Sequence, residues 1–352
     1  MQTRSLLAIL IVFAAPLTAQ RIDLHARATL YGDNTEFFTP YRTGETILGG
    51  QLASWLEAGV GRNTSLRAGV LADRRWGSEE FADSIKPILA VEYRARHSNG
   101  IIGTLDSDNR HGLIDPIMVS TRELTTPVEY GLQWRERRGR FHGEAWVNWR
   151  KLNTPEQREE FEMGLVADVR VMRQLDMVAQ HLWSHRGGQL HDAGVPVSNN
   201  RVTAAGARLH DNLPALGRSS LTALHLWSDG HLEPDYPAER PGKGTGVWVR
   251  GSVTPIWDVE LFAVHWRGDD FHAAAGDANY GSPGQDPGFY RAERKYTELG
   301  LAKRVQQRRG ASLDVEVRWH RIDDEESEAF FNTPWEFSYR IVVRAPLSVR
   351  LR

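Results

Sequence analysis

Several groupings in this chain place side chains capable of chemistry near one another. His181, His185 and His191 share one stretch; Asp269, Asp270 and His272 share another. Imidazole and carboxylate are zinc ligands, but a metal needs three or four donors converging on one point. Strand parity would divide each group between two faces, so neither spacing specifies a coordination geometry. The run Asp323-Asp324-Glu325-Glu326 with Glu328 is rich in the oxygens that calcium and magnesium take, and reads equally as a solvated loop. Ser184 beside His185, and Ser228 near His231, offer a hydroxyl and a base, two parts of a nucleophilic acyl-transfer site. Nothing in the linear order adds the group that would orient the base. An enzyme reading therefore requires a Ser, a His and a carboxylate to meet at one rim of the folded protein. The stretch 268–293 combines Gly and Asp with Phe271, Tyr280, Phe289 and Tyr290, a composition that suits sugar rings and also suits a loop folded on itself. With no cysteine, thiol catalysis, disulfides and thiolate metal sites are excluded. The expectation is no catalytic site, no metal, no cofactor and no enzymatic activity.

The elements that carry these residues are strands. Ile22, Leu24, Ala26, Ala28 and Leu30 alternate with Asp23, His25, Arg27 and Thr29; Leu313, Val315, Val317 and Trp319 alternate with Asp314, Glu316, Arg318 and His320. Alternation at 180° per residue makes a strand with two unlike faces. About sixteen such segments follow one another, near 22–31, 45–58, 64–76, 84–97, 100–106, 127–136, 140–150, 160–171, 174–185, 201–210, 219–228, 244–253, 257–267, 294–305, 311–321 and 335–345. Short connections such as 172–173 alternate with long ones such as 107–126 and 268–293. Antiparallel neighbours return on alternate sides, so one rim receives turns and the other receives loops. A soluble sandwich has no reason to sort its loops by length; a transmembrane barrel does. Leu48, Leu52 and Leu56, Val128, Tyr130, Leu132 and Trp134, and Phe161, Met163 and Leu165 are expected to face lipid. Trp76, Tyr93, Trp134, Trp149, Trp183, Trp227, Trp257, Trp266, Trp319 and Trp335 fall near segment ends, as interface belts do. The segments 174–185, 219–228 and 257–267 carry the parity poorly, which predicts either a bulge or a loop packed into the lumen. Thr154-Pro155-Glu156-Gln157 has the pattern of a capped helical turn.

The N-terminus has the plan of an export signal: Arg4, the apolar run Ser5 to Ala15, and a cleavage site after Ala19. The predicted organisation is a signal peptide over 1–19 and a single barrel over 20–352. A net charge of −2 gives no sign of a nucleic-acid partner. A mean hydropathy of −0.46 is compatible with a barrel, in which only alternate residues need be apolar.

In its signal peptide, alternating strands, aromatic segment ends and sorted loops, the chain resembles bacterial outer-membrane porin-like β-barrels. The likeness is architectural, covers most of Ile22–Arg352, and carries no family motif. It implies an all-β, antiparallel, up-and-down transmembrane barrel in the bacterial outer membrane. Expected partners are lipid, lipopolysaccharide, a small polar solute or saccharide, and the barrel assembly machinery. The function implied is diffusion of small polar solutes. A non-conducting barrel that binds or exports polysaccharide, and a barrel enzyme, are the alternatives. The expected pore lining is Arg67, Arg75, Glu92, Arg94, Arg96, Arg135, Glu144, Glu162, Asp314, Glu316 and Arg318. Porins fold the loop after their fifth strand into the pore, so Asp108, Arg110, His111, Asp115, Arg122 and Glu123 are the expected constriction loop. Pro346 and the non-aromatic ending Leu351-Arg352 predict that the last strand stops near Ala345 or is shifted.

Overall fold

The computed structural model describes residues 21–39, 41–191, 194–233, 236–284, 288–307, 310–322 and 335–352. The N-terminal leader and the acidic run at 323–328 lie outside the described residues. Sixteen strands close into one antiparallel barrel, each paired with its sequence neighbours and the first with the last. They are β1 (Arg21–Phe38), β2 (Thr43–Gly59), β3 (Thr64–Arg75), β4 (Ser84–Arg94), β5 (Ser98–Thr104), β6 (Tyr130–Arg138), β7 (Phe141–Lys151) and β8 (Glu159–Met172). The second half comprises β9 (Leu175–Gly187), β10 (Ser198–Leu213), β11 (Gly217–His231), β12 (Lys243–Thr254), β13 (Val259–Asp269), β14 (Glu293–Gln306), β15 (Ser312–Ile322) and β16 (Glu336–Arg350). Closure pairs every strand with a neighbour on each side over at least part of its length, so most backbone groups are satisfied inside the ladder, as a lipid environment demands.

The outer face is the apolar register. Leu30, Leu52, Val70, Leu89, Ile102, Leu132, Leu165, Leu221, Leu299 and Ile341 are all exposed, the reverse of a soluble core. Two of the expected outward residues behave otherwise. Val128 precedes β6 and is buried, and Trp266 points into the lumen with no exposed surface. The connection expected at 32–44 is mostly strand, because β1 and β2 pair as far as Phe38 and Thr43. Thr154 does accept from the backbone N–H of Gln157, at 3.3 Å, but the carbonyl of Gln157 takes a bond back from Thr154 N–H and the chain turns into β8 without a helix. Pro346 sits inside β16, opposite Arg27 of β1. β15 begins at Ser312, opposite Arg344. Beyond that point β16 has only β1 as a neighbour, so the proton that proline lacks had no ladder partner to lose.

The inner wall has two unlike halves. On β9 to β13 it is apolar: Leu182, Val202, Leu224, Leu226, Trp248, Phe262, Val264 and Trp266 are buried. Two long-rim loops, 105–129 and 270–292, fold inward and cover this surface with Leu113, Ile117, Met118, Phe271 and Tyr280. The loops bind each other through Val119 N–H to Ala275 O at 2.8 Å and Asp277 N–H to Asp115 O at 2.9 Å. The weak parity of 219–228 and 257–267 thus has a physical cause, since both faces of β11 and β13 meet apolar surroundings. The rest of the inner wall is mainly ionic, with two small buried apolar clusters, one of Tyr31, Ile47, Leu124 and Val342 and one of Ala53, Leu71, Ile88 and Val128.

Candidate functional site

The loop 105–129 crosses from β5 to the opposite wall and is bolted there by charge. Its first part makes a left-handed turn, with Asn109, Arg110 and His111 at φ 52°, 51° and 56°. Each such residue costs roughly 1–2 kcal/mol, so the contacts of the turn must outweigh the strain. They centre on His111, whose side chain is fully buried. Its Nε2 lies 2.9 Å from Glu129 Oε2 and its Nδ1 2.5 Å from Glu144 Oε1. Ionised carboxylates only accept, so both ring nitrogens donate and the imidazole is held as a cation. Burial opposes that charge, but the hydrogen bonds and negative charge of Glu129 and Glu144 outweigh it and hold the pKa above the ordinary value. The ring stacks on Trp146 at 4.0 Å between centroids. Trp146 lies flat because Gly164 has no side chain; a Cβ there would sit 2.0 Å from the indole.

Further along, a single helical turn, Arg122–Thr125, carries Arg122 onto Glu162 (2.7 Å) and Glu129 (3.3 Å). Glu123 receives Arg344 at 2.6 Å, and Arg110 reaches Asp115 at 2.6 Å. Asp115 also accepts from Arg318 at 2.9 Å. Burial would raise the carboxyl pKa of Asp115, but the positive charges of Arg110 and Arg318 outweigh it and push it well down. Arg318 bridges in addition to Glu316 (2.5 Å) and Glu298 (3.3 Å). Asp314 binds Arg304 and Arg344. On the other side, Arg67 pairs with Glu92 (3.4 Å) and Asp106 (3.1 Å), and Arg94 with Glu57 (2.8 Å) and Glu92 (2.6 Å). Arg135 holds Glu144 (2.9 Å), and Arg75 is near Asp73 (3.7 Å). Asp108 is exposed and meets Arg27 at 3.2 Å. Arg96 lies in the turn between β4 and β5, exposed on the short-turn rim and off the wall.

A vestibule of about 1020 Å³ opens at the short-turn rim, lined by Asp211, Arg218, Ser252, Asp258 and Arg304 below, and by Arg110, Glu123, Arg318, Arg340 and Arg344 above. Ser120, Glu316, Arg318 and Arg340 also line a second cavity of only about 20 Å³, nearer the long-loop rim. That is room for roughly one water. Two further residues on this small cavity, His320 of β15 and Ser338 of β16, carry a hydrogen-bonded relay. Ser338 Oγ lies 2.7 Å from His320 Nε2, and His320 Nδ1 lies 2.5 Å from the Tyr296 hydroxyl. That hydroxyl donates to Glu298 Oε2 at 2.6 Å, while the carboxylate itself is 3.8 Å from Nδ1. With Glu298 ionised, one assignment of protons satisfies the network. Tyr296 donates to Glu298, Nδ1–H donates to the Tyr296 oxygen, and Nε2 is left to accept from Ser338. A hydroxyl, a base and an orienting acid have met near one rim, the arrangement nucleophilic acyl transfer needs. Arg42, Arg318 and Arg340 line the same cavity and bring guanidinium donors to it. Of these residues the sequence had marked Arg318, as pore lining, and His320, on the same face of its strand. Among the described residues, no group of three or more His, Asp and Glu is placed to hold a metal.

The barrel is of the kind found in bacterial outer membranes. Over 94% of this chain and 98% of the other, it superposes on a double mutant of OccD1 (OprD) with a TM-score of 0.51 and 11% identity. A loop-deletion mutant of OmpT, an outer membrane protein of Vibrio cholerae, aligns over 93% of this chain and 99% of its own, with a TM-score of 0.54 and 9% identity. At such identities the likeness concerns the fold alone. Comparison with curated proteins returns no match. The family model of lipid A 3'-O-deacylase-type proteins matches residues 14–352, and the chain belongs to that family. This corrects the expectation of a non-enzymatic barrel, since the family is one of enzymes.

Proposed function

We propose that this protein is an outer-membrane ester hydrolase that removes an acyl chain from a glycolipid of the lipid A type. Two things support the reading: the family to which the chain belongs and the relay Ser338–His320–Tyr296–Glu298. The relay is the observation that carries it. In this reading the protein is exported by its N-terminal leader and resides in the outer membrane, where its substrate is part of the lipid surroundings. Ser338 Oγ attacks the ester carbonyl as its proton passes to His320 Nε2. Tyr296, itself fixed by Glu298, holds the Nδ1–H and steadies the imidazolium that forms. The guanidinium groups of Arg318 and Arg340 face the cavity where oxyanion charge develops. The proton on Nε2 then goes to the departing sugar hydroxyl. Water, deprotonated by the same nitrogen, releases the fatty acid and restores Ser338.

The test is mass spectrometry of lipid A after incubation with the detergent-folded barrel. Loss of one acyl chain with appearance of the free fatty acid is expected. Intact lipid A in the presence of heat-modifiable, folded protein would overturn the reading. Solute diffusion is disfavoured by the two loops that fold into the lumen and pack Leu113, Ile117, Met118, Phe271 and Tyr280 against its wall. In planar bilayers the wild type is expected to be silent, and large stable unitary currents would return the channel reading to first place.

A further inference from the structure

The barrel wall is incomplete on one side. β5 is short and pairs with β4 only from Ala90 to Arg94. The upper part of β4, Ser84 to Leu89, has a ladder partner on β3 but none on the β5 side. β6 begins at Tyr130, and its ladder to β7 starts at Asn148, so Trp149 to Lys151 pair with β8 alone. Two neighbouring strands therefore stop short together and leave a notch between β4 and β7. At about 3.3 Å per residue it runs along roughly 20 Å of strand edge. Pro87 stands on this edge, where a missing N–H costs no ladder bond.

The notch opens toward the long-loop rim, at the end of β7 that carries Trp149. Ile85 and Leu89 on one flank are exposed and apolar, and Trp149 on the other stacks on Phe161 at 5.2 Å in the aromatic girdle. What fills it is not strand but the returning end of the loop. Val128 packs under the gap with Ile88, Leu71 and Ala53, and the Tyr130 hydroxyl donates to Pro87 O at 2.9 Å. The same stretch of chain, followed backwards, forms the helical turn Arg122–Thr125 and then Ser120 and Thr121, which roof the Ser338 cavity. Ser120–Glu129 thus plugs the wall at one end and covers the relay at the other. Its hold on the barrel is partly ionic, through Arg122 to Glu162 and Glu123 to Arg344, and partly apolar, through Leu124 against Tyr31, Ile47 and Val342.

We propose that the notch between β4 and β7 is a lateral portal, through which the acyl chain of a membrane lipid reaches the lumen when Ser120–Glu129 moves aside. The occupant is an amphiphile: its chain suits the apolar flank at Ile85 and Leu89, and its polar end stays at the level of Trp149. One displacement opens both the portal and the cavity at Ser338, so access and catalysis are coupled through a single segment. The portal supplies the substrate for the hydrolase reading and rests on it for its purpose, but it is tested without it.

The chain has no cysteine, so single labels are clean. Bimane is placed at Val128→Cys, at Leu89→Cys on the outer face, and at Ala53→Cys, which shares the buried cluster behind unbroken wall. Each protein is folded into phosphatidylcholine vesicles with and without brominated acyl chains. Quenching at Val128→Cys is expected to reach at least half that at Leu89→Cys and to exceed Ala53→Cys several-fold. Adding Arg122→Gln is expected to raise it about twofold further. Quenching at Val128→Cys equal to that at Ala53→Cys, or indifferent to Arg122→Gln, overturns the portal. Heat-modifiable mobility shows that each variant is folded. In a second experiment Ile88→Cys and Val128→Cys are joined by oxidation. At least a tenfold loss of lipid A hydrolysis, restored by reductant, is expected; full activity in the cross-linked barrel overturns the proposal. Strong quenching at labelled Val128→Cys, together with a wild-type protein that leaves lipid A intact, would remove the hydrolase reading and leave the portal standing.

Discussion

The two halves of the inner wall hold the same loops by different physics. On β9 to β13 the loops rest on apolar side chains such as Leu226 and Trp266, neither of which has exposed surface. Each fully buried side chain of this kind contributes about 1.5–3 kcal/mol. The contact is non-directional and indifferent to pH. On the ionic side the loop 105–129 is held by Arg122, His111, Arg110 and Asp115, each with a named partner at a set distance. Buried ion pairs add little net stability against an apolar replacement, because desolvation offsets their attraction. They do fix position, and losing one partner is costly. The apolar half therefore supplies adhesion, and the ionic half supplies register and a latch that can be released.

The largest effect expected is on chemistry. Ser338→Ala should lower acyl-ester hydrolysis by about 10³-fold or more while leaving the unfolding midpoint nearly unchanged. Equal activity in the variant would refute the nucleophile assignment. Next is the ionic latch. Glu162→Ala leaves Arg122 buried without its main partner and should cost about 3–5 kcal/mol in urea unfolding from detergent. On the apolar side Leu226→Ala should cost about 2–4 kcal/mol, with no dependence on pH between neutral and mildly alkaline conditions. A cost of Leu226→Ala equal to or above that of Glu162→Ala would blur the contrast between the walls.

pH sharpens the comparison. The pKa of His111 is raised in the folded state, so its stabilisation is complete below the ordinary imidazole value and is lost as pH rises through the folded value. Asp115 is depressed, so its contribution is present above the ordinary carboxylate value and is lost as pH falls below it. The thermal midpoint should fall on the alkaline side, and His111→Asn should flatten that limb while leaving the acid limb in place. The smallest effect belongs to the notch: Tyr130→Phe removes one hydrogen bond to Pro87 O and should cost about 1 kcal/mol.

Much of the fold could be read from residue order. Alternation located all sixteen strands, and their outward register at Leu48, Leu52 and Leu56 is the register of the barrel. Where the reading failed, tertiary surroundings had changed the meaning of a residue. Trp266 looked like a girdle tryptophan but lies beneath Phe271 and Tyr280, at 4.9 and 5.5 Å between ring centroids. Only a loop inside the lumen makes that face of β13 dry. The expected absence of an enzyme failed for a related reason. Ser184 and His185 are adjacent and Ser228 and His231 three apart, and in a strand an odd separation puts the two residues on opposite faces. Ser338, His320, Tyr296 and Glu298 lie on three different strands and meet because Glu298 stands opposite His320 and Arg318 opposite Ser338. Their shared inward parity was a signal available beforehand, though it would bring them together only once the register was known.

The sequence by itself determined the solvent arrangement of this protein. A period of two, with unlike faces and loops sorted by length, admits a closed wall with apolar residues outside and charges within. That information is local, because each strand needs only its own residues to declare two faces. The tertiary structure decided what the inside does. It brought a loop across the lumen, divided the inner wall into an adhesive half and an ionic half, and set Ser338 against His320. Those outcomes depend on register and on where β5 and β6 stop, which are properties of neighbouring strands taken together and are not written in any one of them.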